Sequence, residues 1–272
     1  MPTPLVRLTH LTIALAALLS AAITPAPAVT IDLFDPGSDP SFPSDIAIGP
    51  DGAMWFTDSQ ASKVGRIDVT TGVVALFDVT GTGSPRGIVS GPDGNLWIST
   101  AQFGAGSDRI VRMNRAGTIL GSFSIPTNNA APGDLIVGPD SRVWFVEFNA
   151  SKIGAVTMAG VFQEVLELGQ PTALVAGPDH RVWLGGGYDK DIVAMPVTML
   201  APTKYAPAGS GRIGDIAVGP DGALWYTEWE RGYVGHVTTA GTITQIPVPG
   251  ADALYGLAAG PAGALRARLH HT

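Results

Sequence analysis

The sequence predicts an all-β protein, a β-propeller built from four-stranded blades. Three observations predict this fold class: a segment related to IAIGPDGAMWFTD recurs six times, successive copies start 39 to 47 residues apart, and glycine and proline are spread along the whole chain. A period of about 40 to 45 residues is typical of propeller blades, whereas helical repeats of that length need long apolar stripes with a 3.6-residue period. The copies align without gaps at Gly49, Gly91, Gly138, Gly177, Gly219 and Gly260.

Each unit divides into four short strands. In the first unit, the predicted strands cover residues 45–48, 53–58, 63–69 and 73–79. The turn between the first two strands is Gly-Pro-Asp-Gly, in which Pro50 fixes φ, Asp51 can hydrogen-bond to the nearby backbone and Gly52 tolerates a positive φ. The units that follow repeat this order.

The two ends of the repeat array differ from its middle. Residues 29–34 resemble the fourth strand of a unit and precede the first full unit, so they could complete the last blade and close the ring. The sixth unit has Arg266 where the others have tryptophan and supplies no third strand before the sequence stops. We therefore expect five full blades and an incomplete sixth, with either an altered chain ending or a last blade that closes with one strand missing.

Composition limits the classes of function. The chain has 272 residues, no cysteine and a formal net charge of −7. The negative charge argues against nucleic acid and anionic membranes as partners, because both require a positive field. Without cysteine, disulfides, thiol nucleophiles and thiolate metal sites are excluded.

Residues 1–28 have the pattern of a secretory signal peptide. Arg7 and His10 precede an apolar run over residues 11–23, and Ala26-Pro27-Ala28 matches an A-x-A cleavage site. The run is shorter than the roughly 20 residues that a spanning helix needs, so a retained anchor is the weaker alternative. We expect residues 29–272 to form a single propeller domain without a membrane span, and the product to be a secreted or periplasmic monomer.

Carboxylates recur at the strand ends opposite the Gly-Pro-Asp-Gly turns. Antiparallel pairing across that turn predicts three neighbouring pairs, which are Asp45 with Asp58, Asp134 with Glu147, and Asp215 with Glu228. All six side chains should face one mouth of the ring, where oxygen ligands from several blades could hold Mg²⁺ or Ca²⁺. The alternative is that these carboxylates are solvated or cap the blades.

The same mouth carries candidate ligand-binding side chains. Arg86 and Tyr255 immediately precede the residues at the start of two first strands, where they could bind an anionic or aromatic ligand. Trp229 and Tyr233 follow Glu228 and lie outside the column of repeated tryptophans, so they could stack on a small-molecule or peptide ligand. Ordinary surface positions and loop packing are the alternatives. The repeated column, Trp55, Trp97, Trp144, Trp183 and Trp225, is expected to pack between blades.

The repeated motif resembles the virginiamycin B lyase family, also called streptogramin lyases, which are similar to NHL-type propellers. The resemblance covers about residues 46–263 and rests on GPDG-x-L-W-F-T-E-like segments at 49–58 and 219–228, on K-I-G-R-I-like segments at 63–67 and 152–154, and on Gly241-Thr242-Ile243-Thr244. It implies a seven-bladed propeller that opens a cyclic depsipeptide by elimination at its ester, with a divalent metal such as magnesium.

The resemblance also implies where the catalytic histidines stand, in a Pro-His step just before the first strand of a blade. The matching positions here are Ser44, Arg86, Gly133, Thr172, Gly214 and Tyr255, and none is histidine. The acidic residue that precedes this step in the family is replaced by Gln170 or Ala253. No catalytic residue is therefore assigned, and two classes stay open: a lyase-like enzyme, or a non-catalytic propeller that binds a peptide, glycan or protein.

Overall fold

The structure is a computed structural model of the chain, and it describes residues 36, 41–102, 108–165, 169–207, 211–251, 253–260 and 264–270. The predicted signal peptide over 1–28 and the predicted closing strand over 29–34 lie outside the described residues. Within the described part of the chain, no helix is long and apolar enough to cross a membrane.

The described residues form 22 strands arranged in six antiparallel sheets. Sheet 1 contains β1 (Pro43–Ile48), β2 (Met54–Asp58), β3 (Lys63–Ile67) and β4 (Val74–Asp78). Sheet 2 contains β5 (Ser84–Ser90), β6 (Leu96–Ala101), β7 (Arg109–Met113) and β8 (Ile119–Ser124). Sheet 3 contains β9 (Pro132–Val137), β10 (Val143–Glu147), β11 (Lys152–Val156) and β12 (Phe162–Val165).

Sheet 4 contains β13 (Pro171–Ala176), β14 (Arg181–Gly186), β15 (Ile192–Pro196) and β16 (Thr203–Tyr205). Sheet 5 contains β17 (Ile213–Val218), β18 (Leu224–Glu228), β19 (Tyr233–Val237) and β20 (Ile243–Pro247). Among the described residues, sheet 6 contains only β21 (Ala253–Ala259) and β22 (Leu265–His270). Five four-stranded sheets and a two-stranded sixth are thus confirmed for the described part of the chain.

The first strands of successive sheets are neighbours, in the order β1, β5, β9, β13, β17 and β21. Within each four-stranded sheet the strands are paired in chain order, so the fourth strand lies farthest from the neighbouring first strands. This is the strand arrangement of propeller blades, in which the innermost strands line the centre. The end of the sheets at which the first strand begins and the second strand ends is called the mouth below.

In sheets 1 to 5 the turn at the other end of the sheet binds the repeated tryptophan of the second strand. Trp55, Trp97, Trp144 and Trp183 are fully buried. The indole Nε1 of Trp183 donates a hydrogen bond to Asp179 of its own turn (3.0 Å), and the guanidinium of Arg181 lies 4.9 Å from the indole centroid. Burial alone would raise the pKa of the Asp179 carboxyl, but the bonds from Trp183 and Arg181 hold it below its ordinary value. The predicted packing role of these tryptophans is confirmed, although Trp225 is only partly buried.

A β-bulge interrupts the first strand of every sheet close to the mouth. In sheet 1, Pro43 pairs with Asp58 but Asp45 pairs with Thr57, so Ser44 is the extra residue. The Asp45 amide donates to the Thr57 hydroxyl (3.1 Å) in place of a regular ladder bond. The sequence prediction assumed a regular ladder, and the bulge therefore corrects the predicted pairing of Asp45 with Asp58. The same correction applies to sheets 3 and 5, where Glu147 pairs with Pro132 and Glu228 with Ile213.

Candidate functional site

The mouth of sheets 1 to 3 encloses a cavity of about 530 Å³. Its wall contains the bulge residues Ser44, Arg86 and Gly133, together with the carboxylates of Asp45 and Asp134. Bulges often re-aim side chains next to functional sites. Here the recurrent bulge brings the residues at equivalent positions of three sheets to one cavity.

Asp45, Asp134 and Asp215 each connect one sheet to the next. One oxygen of Asp45 accepts a hydrogen bond from the Ile88 amide (2.8 Å). In the same way Asp134 accepts from Leu174 (2.9 Å), and Asp215 accepts from Leu257 (2.7 Å). The bulge in the receiving strand leaves that amide outside its own ladder, so the carboxylate replaces a ladder acceptor. These three side chains therefore stabilise the contacts between sheets.

Burial raises the pKa of all three carboxyls, and the charges of neighbouring carboxyls add to the shift in Asp134 and Asp215. Burial is the main cause for Asp134, and the charges of Asp45 and Asp215 add to it, so that the pKa of Asp134 rises to about 7 even though the Leu174 amide opposes the shift. Burial also raises the pKa of Asp45 and of Asp215 against the lowering effect of their amide donors. The mouth thus contains a carboxyl that gains or loses a proton near neutral pH.

The other three predicted rim residues, Asp58, Glu147 and Glu228, are fully buried at the ends of second strands. Asp58 accepts hydrogen bonds from the amides of Phe42 and Ala61 (both 3.0 Å). Glu228 accepts from the Gly211 amide (2.9 Å) and from the side chain of Gln245. Asp58 thus holds the residue before β1 and the loop after β2, and Glu228 holds the residues before β17 and contacts β20. Backbone donors therefore draw Asp58 and Glu228 into their own sheets. That all six carboxylates face the mouth stays a prediction.

Glu147 differs from its two counterparts. Neither of its carboxyl oxygens has a hydrogen-bond partner among the described residues, although the side chain is fully buried. Lys152 pairs with it in the ladder, but the ammonium of Lys152 instead lies 2.7 Å from the Thr127 hydroxyl and 3.6 Å from a Glu164 oxygen. Burial, and next the nearby charge of Glu164, raise the pKa of Glu147 to about 7.

The described residues do not form a site that fits a divalent cation. Among them, no group of three or more histidine, aspartate or glutamate side chains is close enough to hold a metal ion. A cation of this kind needs several oxygen ligands around one point. The predicted ligands are instead divided between the intersheet carboxylates and the buried second-strand carboxylates, and their assignment to a metal stays a prediction.

Arg86 is the predicted ligand-binding residue with the best access to the mouth. It is exposed, and it borders both the 530 Å³ cavity and a second cavity of about 290 Å³ between sheets 2 and 3. The second cavity is lined by Asp108, Asn129, Phe148 and other loop residues. A single guanidinium therefore faces two adjoining cavities, one of which also contains two carboxyls.

The other three predicted ligand residues lie at the mouth of sheets 5 and 6. The indole of Trp229 donates a hydrogen bond to the Tyr255 hydroxyl, and their ring centroids are 5.4 Å apart. Tyr233 is half-buried and lies under the guanidinium of Arg231, 5.8 Å from ring centroid to Cζ. The structure thus brings Trp229 and Tyr255 together, and it places Tyr233 in a separate contact.

Sequence reasoning missed Tyr188 and Arg212, which extend this group. The guanidinium of Arg212 lies between the rings of Tyr188 and Trp229. One signal was present: Tyr188 closely follows the second strand of its unit, as Trp229 does, and also lies outside the tryptophan column. Arg212 had no such signal, because it precedes its strand and contacts a different sheet.

Exposed aromatic side chains are confined to the mouth. Among the described residues, four aromatic side chains are strongly exposed, and all of them adjoin the start of a first strand or the end of a second strand: Phe42, Phe148, Tyr188 and Trp229. Exposed rings are costly to leave in water, so their restriction to one end indicates a surface that contacts something else.

Comparisons with known proteins agree with this architecture. A sequence model described as the Virginiamycin B lyase family matches residues 26–185. A virginiamycin B lyase of Nocardia farcinica (strain IFM 10152) is 27% identical over 214 residues, which are 78% of this chain and 71% of that protein. Two solved structures are 24% identical and similar in fold. A streptogramin B lyase has a TM-score of 0.80 and covers 88% of this chain and 80% of its own. A catalytically inactive histidine-to-alanine variant of the Staphylococcus aureus virginiamycin B lyase with quinupristin has a TM-score of 0.78, with 86% and 79% covered.

Proposed function

This chain belongs to the virginiamycin B lyase family, and we propose that it is an exported propeller that binds a small-molecule or peptide ligand at its mouth. The observation that carries the proposal is the cavity of about 530 Å³ whose wall is built from three bulge residues. One of them, Arg86, is an exposed cation between two cavities. The confinement of exposed aromatic rings to the same end supports the choice of this surface.

The chemistry of the cavity suits a ligand with amide and ester groups. Ser44, Ser59 and Gln60 offer hydroxyl and amide groups, and Phe42 adds an exposed ring beside them. The Staphylococcus aureus relative is described in a complex with quinupristin. A cyclic depsipeptide of that kind is therefore the first ligand to test.

Binding without cleavage is the function that the residues favour. Elimination next to a carbonyl requires a base that removes a proton, and the resemblance implies histidine at the bulge positions. Those positions contain Ser44, Arg86, Thr172, Tyr255 and two glycines. An arginine side chain offers hydrogen-bond donors and no acceptor, and a serine or threonine hydroxyl is too weak a base to act alone.

A second candidate, elimination by a different base, is favoured by one observation. Asp134 lines the cavity, and burial together with the charges of Asp45 and Asp215 raises its pKa to about 7. A carboxyl with such a pKa can accept a proton at neutral pH and hold it near the reacting group. Because the described residues do not fit a divalent cation, no step is assigned to a metal.

The test uses the full chain with quinupristin and two readouts, calorimetric binding and chromatography coupled to mass spectrometry. Elimination gives a linear product of unchanged mass with a new retention time, whereas hydrolysis adds one water. We expect binding without a new product, and at least about ten-fold weaker binding by Arg86→Ala, since a charged hydrogen-bond donor is lost. Arg115→Ala is the matched control, because Arg115 is exposed at the opposite end of sheet 2.

The other outcomes are also informative. A linear product of unchanged mass that disappears in Asp134→Asn would support the second candidate instead. Equal affinity of the wild type and of Arg86→Ala for quinupristin would show that the ligand does not bind in this cavity. Export is tested separately, by expressing the full chain in a bacterium and sequencing the N-terminus of the protein found outside the cytoplasm. A start at Val29 would support cleavage after Ala28, and an intact N-terminus would contradict it.

A further inference from the structure

An arginine lies between two exposed aromatic rings at the mouth of sheets 4 to 6. The Cζ atom of Arg212 is 4.5 Å from the centroid of the Tyr188 ring and 5.7 Å from that of the Trp229 ring. Tyr188 is 58% exposed and Trp229 is 39% exposed. Tyr255 completes the group through its contact with Trp229. We call these four residues the aromatic–arginine cluster.

The arginine is fixed at one side only. Its Nε is 3.3 Å from a Glu230 carboxyl oxygen, which holds the inner edge of the guanidinium. Among the residues that the structure describes, none forms a hydrogen bond with the two terminal nitrogens of Arg212. A guanidinium in this position keeps two donors in the fork geometry that matches a carboxylate.

The residues around the cluster carry charges of both signs. Arg231 follows Glu230, and its aliphatic chain runs beside Gly211, where a Glu228 carboxyl oxygen also lies. Glu228 already accepts hydrogen bonds from the Gly211 amide and the Gln245 side chain. The cation of the cluster that can meet an anionic ligand is therefore Arg212.

We propose that the aromatic–arginine cluster is a binding site for an aromatic carboxylate, either a free aromatic acid or an aromatic acid group of a larger ligand. The ring of the ligand would stack on the exposed indole of Trp229 or phenol of Tyr188, and its carboxylate would bind the terminal nitrogens of Arg212. A cationic ligand is disfavoured by the guanidinium of Arg212. An aliphatic acid would use the guanidinium but leave the rings in water.

This inference extends the proposed ligand-binding function to a second part of the mouth, with different residues. The cavity that carries the proposed function is lined by residues of sheets 1 to 3, whereas the cluster belongs to sheets 4 to 6. The Arg86→Ala variant should therefore leave the binding of an aromatic acid unchanged. The two proposals can fail independently.

Tryptophan fluorescence provides the test, with benzoate as the probe. Four of the six tryptophans are fully buried, which leaves Trp229 as the indole most accessible to a stacked ligand. We expect benzoate to quench the emission saturably, and benzamide, its neutral isostere, to bind at least about ten-fold more weakly, because the charged hydrogen bonds are lost. The saturable quenching should be absent in Trp229→Phe.

Two arginine substitutions separate charge from folding. Arg212→Gln should weaken benzoate binding at least about ten-fold, whereas Arg115→Gln, the same change at the opposite end of the sheets, should have no effect. Arg212→Lys should also weaken binding, because an ammonium lacks the planar fork. If Arg212→Gln lowers the unfolding midpoint, Tyr188→Leu replaces it, since Tyr188 is exposed and its loss removes only the stacking surface. Equal quenching by benzoate and benzamide, or unchanged binding by the folded Arg212 variants, would overturn the proposal.

Discussion

Replacing Asp134 with asparagine tests the electrostatics of the mouth. The folded-state pKa of Asp134 is about 7, above its ordinary value of 3.8, mainly because the side chain is buried and secondly because Asp45 and Asp215 repel its charge. Between these two pH values the native protein retains a proton that the unfolded chain has lost. The free energy of unfolding must therefore decrease as the pH rises through this window.

The size of the effect follows from the shift. A displacement of about 3 pKa units corresponds to about 4 kcal/mol at about 1.4 kcal/mol per unit. Because the mouth is partly solvated, we expect about 2 to 3 kcal/mol. Asparagine is neutral at every pH, and its carbonyl oxygen can still accept the hydrogen bond from the Leu174 amide. The variant should therefore lose the pH dependence of the free energy of unfolding and keep the contact between sheets 3 and 4.

The assay is urea unfolding of wild type and Asp134→Asn at pH 4.5, 6 and 8, followed by tryptophan fluorescence. The two proteins should be similar at pH 4.5, and the variant should be more stable at pH 8 by about 2 to 3 kcal/mol, or about 5 to 10 °C in melting temperature. Asp78→Asn is the control, since Asp78 is 68% exposed in its ion pair with Lys63 and should change stability by less than about 1 kcal/mol. Parallel stability profiles for wild type and Asp134→Asn across the pH range would refute the reasoning.

Three further substitutions test the interior of the sheets. Trp183→Ala should cost about 3 to 5 kcal/mol in urea unfolding, because it empties a fully buried position and removes the stacking on Tyr205; a loss below about 1 kcal/mol would contradict the packing role. His236→Arg should raise the melting temperature slightly, since sheet 5 has a histidine beside Asp221 where sheet 1 has Arg66 beside Asp51 and arginine is a permanent cation; the gain should shrink at high salt, and an equal gain at low and high salt would argue against the charge effect. Glu147→Gln should leave the free energy of unfolding unchanged at pH 5 and raise it by about 1 to 2 kcal/mol at pH 8, because burial and the charge of Glu164 raise the pKa of Glu147 to about 7. Thermal denaturation of both proteins at the two pH values checks this. A difference between the proteins that does not change with pH would count against it.

The repeat pattern predicted the sheets well because each unit contains its own local signals. Strand alternation, the Gly-Pro-Asp-Gly turn and the recurring tryptophan all act within about 20 residues, and they located the second strand of the first unit at 53–58, where the structure has Met54–Asp58. The bulge at Ser44 lacked such a signal. It depends on the Thr57 hydroxyl opposite and on a carbonyl of the next sheet, the Arg86 oxygen that Thr57 contacts. Contacts between sheets are set by the assembled fold, so the register at the mouth could not be read from one unit.

The candidate site was predictable only in part for the same reason. Arg86, Trp229 and Tyr255 differ from the consensus of their units, and that deviation identified them. The roles of Glu147 and Arg212 arise from neighbours that are distant in the sequence. Glu147 is left without a hydrogen-bond partner in the described part of the chain because the Lys152 ammonium lies near Glu164 instead. Arg212 contacts an aromatic ring because Tyr188 reaches it from another sheet.

Two adjacent positions of the bulge have different roles at the mouth: one stabilises the contact between sheets and the other lines the cavity. The residue after the bulge residue is aspartate in sheets 1, 3 and 5 and small in the other three, Gly87, Ala173 and Gly256. Each aspartate bonds to the amide that follows the small residue of the next sheet. At Gly87 a Cβ atom would lie 2.5 Å from the Gly133 carbonyl oxygen, so packing requires glycine at this position of sheet 2.

The bulge residue itself is more variable, because it is the extra residue that the ladder does not use, although at Gly214 a Cβ atom would lie 2.7 Å from the Leu254 carbonyl oxygen. It is serine, arginine, glycine, threonine, glycine and tyrosine in the six sheets, and in sheets 1 to 3 it lines the cavity. Substitutions one residue apart should therefore have opposite consequences. Changing Asp45 to alanine should lower stability by about 1 to 3 kcal/mol, because the buried Ile88 amide loses its acceptor. Changing Ser44 to alanine should leave the melting temperature within about 1 °C and alter only ligand affinity, and a loss of stability at Ser44 equal to that at Asp45 would show that the two positions are not separated in this way.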